Sequence, residues 1–313
     1  MSMIQSNREV QDQFKNLTEP FRDELWRYCR YITGSPWDGE DLFQETLLKA
    51  FGMLYQRWHP TNPKSYLFRM ATNLWIDWCR KQKVKLDPLQ EENAPVEYPH
   101  DSLELEEAVY LLTNILPPRQ TAAFLLLDIF HFSGSEVAGM LHSTQGGVYA
   151  AAKRARETLK NRIKEGKPTE EQAVDMERVG GEGRAVIDAY LKAFNSGDIT
   201  AMLELFNEHT VNEAVSGFQE YSKNEMRSGS LQGGKLGAVF AEERVLWGRR
   251  VIITFAQTEQ GKALHDVQYQ EVENSKIVAH KSYFFCKQFL FAVSKELGVP
   301  VQLNKPPVNW EQV

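Results

Sequence analysis

Hydrophobic positions in the first third of the chain recur every three or four residues, the spacing of one face of an α-helix. An amphipathic lead-in ends at the Gly-Ser-Pro of residues 34–36, and a long helical pattern starts near residue 38. A break with two prolines follows at 59–63, and a second helical pattern runs to about residue 85. The core-facing positions of the first long pattern are Phe43, Leu47, Ala50, Phe51 and Leu54.

Another face of the same helix is polar. Asp41, Gln44 and Glu45 lie there beside Leu48, so the face presents two carboxylates, an amide and an aliphatic side chain. Taken alone, this face is better explained as ordinary solvated surface over a core. Together with the helix that follows, it predicts a surface that binds a partner.

The second helix combines aromatic rings with cations. Stacking planes beside positive charges suit single-stranded bases and their phosphates. Packing into a core is the alternative reading for the aromatic residues. The residues concerned are Tyr66, Phe68, Trp75 and Trp78, with Lys64, Arg69, Arg80, Lys81, Lys83 and Lys85.

The two helices together resemble region 2 of the sigma-70 family, specifically its extracytoplasmic-function (ECF) group. The matching residues are Asp38, Glu40, Asp41, Leu42, Gln44, Glu45 and Thr46 in the first helix, then Ala71, Thr72, Asn73, Leu74, Asp77 and Arg80 in the second.

This resemblance implies two binding surfaces. The first helix would bind the clamp helices of core RNA polymerase through Asp41, Gln44, Glu45 and Leu48. The second would hold the promoter −10 element. The residues expected at the −10 element are Asn62, Lys64, Tyr66, Arg69, Asn73, Arg80, Lys81 and Lys83.

Residues 86–118 contain no Lys or Arg and are rich in acids and prolines, which predicts an extended linker. A passive tether is one reading of this segment. The other is that its acids imitate nucleic-acid charge in the basic channel of the polymerase. The resemblance implies that the linker passes through this channel.

A second helical domain begins at Pro117 and Pro118, which suit a helix start. Ser133 and Glu136 form a capping-box pattern, and the next helix follows so closely that a helix-turn-helix is predicted. His142 occupies the turn position that often carries Gly, and His enters the left-handed region more readily than most residues.

The last helix of this domain is basic, and its segment resembles region 4 of the sigma-70 family, which reads the −35 element. Ala150, Ala151 and Ala152 stand where relatives often carry polar readers, so readout is expected to depend on shape and phosphates. The expected −35 residues are Ser143, Thr144, Gln145, Tyr149, Lys153, Arg154 and Arg156.

The remaining residues, after a second linker, change from two helical patterns to several strand patterns joined by turns. An α+β cone with a curved antiparallel sheet around a pocket is predicted. The helix-Ser-Gly-Asp-helix opening resembles SnoaL-like domains of the nuclear-transport-factor-2 superfamily. Candidate pocket residues are His209, Glu213, Trp247, His265 and His280.

Composition excludes several classes. A hydrophobic content of 42% and a charged content of 25% are ordinary for a globular protein. No apolar run is long enough for a membrane span, and the three isolated cysteines have no zinc or disulfide spacing, so a cytoplasmic location is expected. No cofactor, metal site or catalytic residue is predicted. The net charge of −6 is segmental, so local charge decides DNA binding.

The predicted fold is multidomain: two all-α domains followed by an α+β SnoaL-like cone. The expected function is that of a sigma factor regulated by its own C-terminal domain, with core RNA polymerase, promoter DNA and a small-molecule pocket ligand as partners. Competing hypotheses are a DNA-recruited enzyme with acid–base chemistry in that domain, or a helix-turn-helix repressor. Dimerisation is a further alternative for the C-terminal domain. The predicted segments are region 2 at 1–86, a linker at 87–102, region 4 at 103–165, a linker at 166–182 and the C-terminal domain at 183–313.

Overall fold

The chain forms two compact units, Met1–Ala173 and Val174–Val313, in the computed structural model. The predicted linker at 87–102, residues 166–180 of the predicted linker at 166–182, and residues 103–111 of predicted region 4 lie outside the described residues. The structure describes residues 3–55, 61–85, 112–113, 115–164, 181–231, 239–259 and 261–303.

The N-terminal unit is helical, as predicted. A short 3₁₀ turn at Glu19–Phe21, which contains Pro20, divides the predicted lead-in into two helices. A π-helical segment, Leu125–Ile129, extends the fifth helix. The helices of this unit are α1 Met3–Thr18, α2 Arg22–Thr33, α3 Pro36–Tyr55, α4 Pro63–Lys85, α5 Pro118–Phe124, α6 Gly134–Met140 and α7 Gln145–Lys164.

Helices α2, α3 and α4 enclose the first core. Phe43 and Leu47 of α3 are buried as predicted. The hydroxyl groups of Tyr28 and Thr72 lie 2.6 Å apart and join α2 to α4 in the interior. Burial raises the pKa of Tyr28, so the phenol stays neutral.

Two glycines fix the path of the chain around α2 and α3. Gly34 ends α2 in the left-handed conformation with φ of 78°, which a side chain rarely adopts. Gly39 lies at a close approach of α3 to α2, because a Cβ atom there would be 2.6 Å from the Cα atom of Arg30. The predicted break at residues 34–36 is therefore confirmed, although α3 starts at Pro36 rather than residue 38.

The predicted helix-turn-helix is present in α6 and α7. Ser133 and Glu136 form a complete capping box at the start of α6. His142 adopts φ of 48° in the turn, as predicted. The Thr144 hydroxyl accepts a hydrogen bond from the Gly147 backbone N–H at 3.1 Å and so caps α7.

The C-terminal unit has the predicted α+β class. Its six described strands form one sheet in the order β2-β1-β6-β5-β4-β3. The β1–β6 pair is parallel and the other pairs are antiparallel, so the sheet is mixed rather than wholly antiparallel. The elements are α8 Gly181–Ser196, α9 Ile199–Leu205, β1 Phe206–Ala214, β2 Phe218–Glu220, α10 Lys223–Ser228, β3 Val239–Leu246, β4 Arg249–Thr258, β5 Gly261–Glu273, β6 Lys276–Ser282 and α11 Lys287–Leu297.

The helix-Ser-Gly-Asp-helix opening is present in this unit. Asp198 caps α9 by accepting a hydrogen bond from the Ala201 N–H at 2.9 Å. Helix α9 ends at Leu205, and Phe206 begins β1. Tyr190, Phe194 and Ile252 belong to the core that α8 and α9 make with the sheet.

The close approach at Gly39 predicts a position-specific cost. Gly39→Ala should lower the free energy of unfolding by about 1–3 kcal/mol, because the added methyl group meets the backbone of α2. Gly52→Ala in the same helix is the matched control. No atom lies within 4 Å of its added Cβ, so helix propensity should make it neutral or stabilising by up to about 1 kcal/mol.

Scanning calorimetry of the two variants checks this prediction. Gly39→Ala should lower a melting midpoint and Gly52→Ala should not. Equal midpoints for the two variants would show that α2 and α3 do not pack at the distance described.

Candidate functional site

The predicted partner-binding face of α3 is exposed. Asp41 and Glu45 are exposed, Leu48 is 71% exposed, and Gln44 is half-buried between them. A leucine this exposed on a well-packed helix is available to a partner. The placement agrees with the sequence pattern, and the role in polymerase binding stays a prediction.

A buried carboxylate supports this face. Glu40 is fully buried and accepts a hydrogen bond from the indole N–H of Trp26 at 2.6 Å. The amide of Gln44 also donates to Glu40. Sequence analysis included Glu40 only as a matching residue and did not predict that it would orient Gln44.

A recess of about 130 Å³ opens beside the same face. It has carboxylates at its rim and aromatic rings in its lining, which suits a partner side chain that is both cationic and aliphatic. Its lining residues are Thr33, Asp38, Asp41, Leu42, Glu45, Leu74, Trp75 and Trp78.

Some aromatic residues of α4 pack into the core, and others remain available for stacking with bases. Phe68 is fully buried and Trp75 is 4% exposed, so these two belong to the core. Trp78 is 44% exposed and remains available to a partner. Tyr66 is half-buried, and desolvation raises its pKa.

The predicted −10 residues cover α4 from its first turn towards its last. Asn62 caps α4 by accepting from the Ser65 backbone N–H at 3.1 Å. The Nζ atom of Lys64 lies 2.7 Å from a carboxylate oxygen of Glu24. Among the others, Asn73 is half-buried, Arg69, Arg80 and Lys81 are exposed, and the Lys83 side chain lies outside the described part of the chain.

Sequence analysis missed a contact between the start of α4 and the helix-turn-helix domain. Phe130 and Phe132 are 3% and 7% exposed, and their ring centroids lie 5.4 and 4.9 Å from that of Phe68. Burying a phenylalanine side chain stabilises by about 1.5–3 kcal/mol. The two aromatic residues just before the capping box were the available signal.

Polar groups complete this contact. Glu136 accepts a hydrogen bond from the Ser65 hydroxyl at 2.7 Å and one from the Asn62 amide at 3.3 Å. Its other carboxylate oxygen accepts from the Ser133 backbone N–H at 3.0 Å. Hydrogen bonds from Ser133, and then from Ser65, hold the pKa of Glu136 below its usual range.

The predicted −35 residues lie on and just before α7. Tyr149 is 53% exposed with its ring against Gly134. Arg156 differs from the rest, because its guanidinium makes two 2.8 Å hydrogen bonds to the carboxylate of Asp128. The exposed residues of the predicted set also include Ser143, Thr144, Gln145, Lys153 and Arg154.

The five predicted pocket residues do not converge. Glu213 is half-buried and accepts from Gln219, and Trp247 packs edge-on against Phe289 of α11. Strand β1 places Asn212 opposite His280, so Glu213 projects from the other face of the sheet. The remaining two are His209, which is exposed, and His265, whose Nδ1 atom lies 2.7 Å from the Oε1 atom of Gln302.

A hydrogen-bonded network lies instead behind α8. The Tyr190 hydroxyl donates to Gln268 at 3.1 Å, and Gln268 donates to Asp266 at 3.1 Å. Asp266 also accepts from Ser282 at 2.8 Å. His280 is 7% exposed, on the same covered side. The alternation of Asp266 and Gln268 along the strand pattern could have predicted this network.

The described ranges contain neither a candidate metal cluster nor a candidate membrane-spanning helix. No group of three or more His, Cys, Asp or Glu side chains there could hold a metal ion. Nor does any described helix combine the length and apolar character needed to cross a membrane.

Two family profiles match the N-terminal unit. Sigma-70 region 2 matches residues 17–84, and Sigma-70 region 4 matches residues 106–159. The chain thus carries both regions in the order expected of the family.

Two relatives with known names are similar to part of the chain. The chain is 30% identical over 154 residues to the ECF RNA polymerase sigma factor SigE of Mycolicibacterium smegmatis, covering 46% of this chain and 59% of the relative. It is 29% identical over 187 residues to SigG, also an ECF RNA polymerase sigma factor, of Mycobacterium tuberculosis, covering 49% and 50%. The chain therefore spans about half the length of these relatives.

Among solved structures, the extracytoplasmic function sigma factor SigJ of Mycobacterium tuberculosis aligns over 93% of this chain and 99% of its own. Its identity to this chain is 19% and the TM-score is 0.33. A TM-score this low supports no conclusion about function.

The buried imidazole of His280 predicts a pH dependence. Desolvation lowers its pKa to about 4 from an ordinary value of 6.5. Between these values the unfolded chain binds the proton and the folded chain does not, so stability falls as the pH drops. At pH 5, the C-terminal unit should lose about 2 kcal/mol relative to pH 7.

Urea unfolding of the full chain at pH 7 and pH 5 measures this loss. His280→Gln should reduce the difference between the two pH values, whereas the exposed control His209→Gln should not. An undiminished pH dependence in the His280 variant would contradict the assignment.

Proposed function

We propose that this chain, which carries regions 2 and 4 of the sigma-70 family, is an ECF sigma factor that directs promoter-specific initiation by RNA polymerase. The observation that carries the proposal is the exposed face of α3, with Asp41, Glu45 and Leu48 held outward by a buried support. A repressor that acts through its helix-turn-helix alone would not need a polymerase-binding face of this kind.

In this proposal, α3 docks on the clamp helices of core polymerase. The carboxylates of Asp41 and Glu45 meet basic groups, the amide of Gln44 supplies a directional hydrogen bond, and Leu48 is buried on binding. Charge complementarity would select the partner and accelerate association. The acid-rimmed recess beside α3 supports the same assignment, since it suits a cationic side chain.

Helix α4 would capture the melted −10 strand. Asn62 and Lys64 lie at its N-terminal end, where side-chain donors and the helix dipole favour an anionic strand. Lys81 lies near its other end and would contact a phosphate. Substitutions at Asn62 and Lys64 should change base preference, whereas loss of Lys81 should weaken binding to all DNA sequences by a similar factor.

Helix α7 would enter the major groove at the −35 element, N-terminus first. Tyr149 and the alanines beside it cannot read guanine as arginine does, so phosphate contacts from Lys153 and Arg154 carry most of the affinity. Lys160 is exposed on the same helix and extends this basic surface.

The C-terminal unit is proposed to regulate the sigma unit. A tether of the length of residues 166–182 holds it at an effective concentration on the order of millimolar, so even a weak contact is populated. Tyr190, Gln268 and Asp266 are buried and hydrogen-bonded to one another, so a small molecule that bound there would compete with those bonds. A ligand that prefers one arrangement of the chain would then alter transcription.

Acid–base catalysis in that unit is the competing function. The candidate pocket residues support regulation better, since Glu213 and His280 lie on opposite faces of the sheet. General acid–base chemistry needs both groups within reach of one substrate.

Clamp docking predicts the effect of reversing one charge. Glu45→Lys should abolish binding to core polymerase, because like charges across an interface cost several kcal/mol, while the melting temperature stays nearly unchanged. Glu271→Lys, an identical charge change at an exposed position of β5, is the control. Size-exclusion chromatography with core polymerase distinguishes them, and binding by folded Glu45→Lys would refute the docking surface.

The bidentate pairing of Arg156 predicts unequal effects on DNA affinity. Arg154→Ala should flatten the dependence of log affinity on log salt by about one unit, because one phosphate contact is lost. Arg156→Ala should change the slope less, because Asp128 already neutralises its charge. Fluorescence anisotropy with promoter DNA at several salt concentrations measures both slopes. An unchanged slope for Arg154→Ala would exclude the phosphate contact.

A further inference from the structure

A large aromatic side chain on α7 is held in place by the lack of a side chain on α6. Tyr149 lies in the second turn of α7 and is 53% exposed. A Cβ atom built on Gly134 would lie 2.5 Å from the hydroxyl oxygen of Tyr149 and 2.9 Å from its Cε2 atom. Both distances are shorter than van der Waals contact. The ring of Tyr149 therefore occupies the space that a side chain at residue 134 would need.

The backbone does not require glycine at residue 134. Gly134 begins α6 and is not among the residues with positive φ, so an alanine could adopt the same conformation. Gly139 lies in the same helix, and no described atom lies within 4 Å of a Cβ atom built there. What Gly134 provides, and Gly139 does not, is room for the Tyr149 ring.

The surface of α7 around this ring is apolar. Gly146, three residues earlier, is exposed, and Ala150 is half-buried. Because both are small, the Tyr149 ring projects beyond them. The cations of Lys153 and Arg154 begin one turn later and are exposed. The proposed DNA-reading helix thus separates an apolar first part from a basic second part.

The chemistry of such a surface selects one feature of the major groove. Of the four standard bases, thymine alone presents a methyl group there, and apolar side chains contact it. A ring that is already fixed loses little conformational freedom when it binds. A fixed ring also discriminates between a position that carries a methyl group and one that lacks it, because it does not shift to fill the gap.

We infer that Tyr149 reads thymine methyl groups in the −35 element and that Gly134 is the positioning residue that fixes its ring. This inference rests on the proposed function. Phosphate contacts from Lys153 and Arg154 supply affinity for any sequence, whereas Tyr149 supplies a preference for A·T pairs.

Deoxyuridine is the probe, because it is thymidine without the methyl group. Holoenzyme assembled from core polymerase and the full-length chain first selects its sites from a library of randomised duplexes, with core polymerase alone as the background. We expect A·T pairs to be enriched in the −35 element. Each thymine of that element in the selected duplex is then replaced by deoxyuridine, one position at a time.

At the thymine that contacts Tyr149, the replacement should lower holoenzyme affinity about threefold to fivefold, because one methyl group is no longer buried. We call this loss the uracil penalty. Tyr149→Ala should abolish the penalty. Tyr149→Phe keeps the ring and should retain it. Loss of the penalty in Tyr149→Phe would show that the hydroxyl group, not the ring, reads the base, and would overturn the inference.

The role of Gly134 is tested by the same penalty. Gly134→Ala should reduce it nearly as far as Tyr149→Ala does, because the added methyl group displaces the ring. Gly139→Ala is the matched control in α6 and should retain the full penalty. The double variant of Gly134→Ala and Tyr149→Ala should behave as Tyr149→Ala alone, because both changes act through one ring.

A purely structural role for Gly134 has a different outcome. Gly134→Ala would then weaken binding to thymine and uracil duplexes by the same factor and leave the penalty unchanged, which would overturn its assignment as a positioning residue.

Two results would overturn methyl reading itself. One is a selected −35 element without an enriched A·T pair, and the other is equal affinity for thymine and uracil duplexes at every position of the element. In both cases the holoenzyme still selects DNA, so the proposed function stands. If the holoenzyme selects no sequence beyond those bound by core polymerase alone, the proposed function fails and this inference fails with it.

Discussion

The buried carboxylate of Glu40 is the interaction on which the surface of α3 depends. A carboxylate removed from water needs hydrogen-bond donors, and Trp26 of α2 supplies one of them. The amide of Gln44 donates to the same carboxylate from one turn further along α3. These bonds fix the rotation of α3 about its axis, so Phe43 points into the core and Glu45 points outward.

Helix α4 contributes to a core and to two surfaces. Its Thr72 hydroxyl meets Tyr28 in the interior, and Phe68 anchors an aromatic cluster there. The first turn of α4 presents polar groups, and the Asn62 amide there donates to Glu136 of the helix-turn-helix domain. One helix thus links the first core, the helix-turn-helix domain and the predicted −10 surface.

Local sequence patterns predicted most of the fold, because helix faces and helix caps are determined by residues close together in the sequence. Helical spacing identified the buried face of α3, and the capping box of Ser133 and Glu136 located α6. Contacts between distant segments were not predictable in this way: the aromatic residues of α4 divided between core and surface, and Glu136 reached Ser65. In the sheet, His209 and His265 were predicted from residue type alone. The alternation of Asp266 and Gln268 would have identified the covered face.

Run-off transcription with core polymerase tests both the sigma-factor assignment and regulation by the C-terminal unit, by comparing the full-length chain with one ending at Lys164. We expect promoter-dependent transcripts from both chains, at levels that differ several-fold because the C-terminal unit biases the sigma unit. No promoter-dependent transcript from either chain would contradict the assignment as a sigma factor. Equal transcription of the same promoters would contradict regulation by the C-terminal unit, and would leave catalysis or dimerisation as its function.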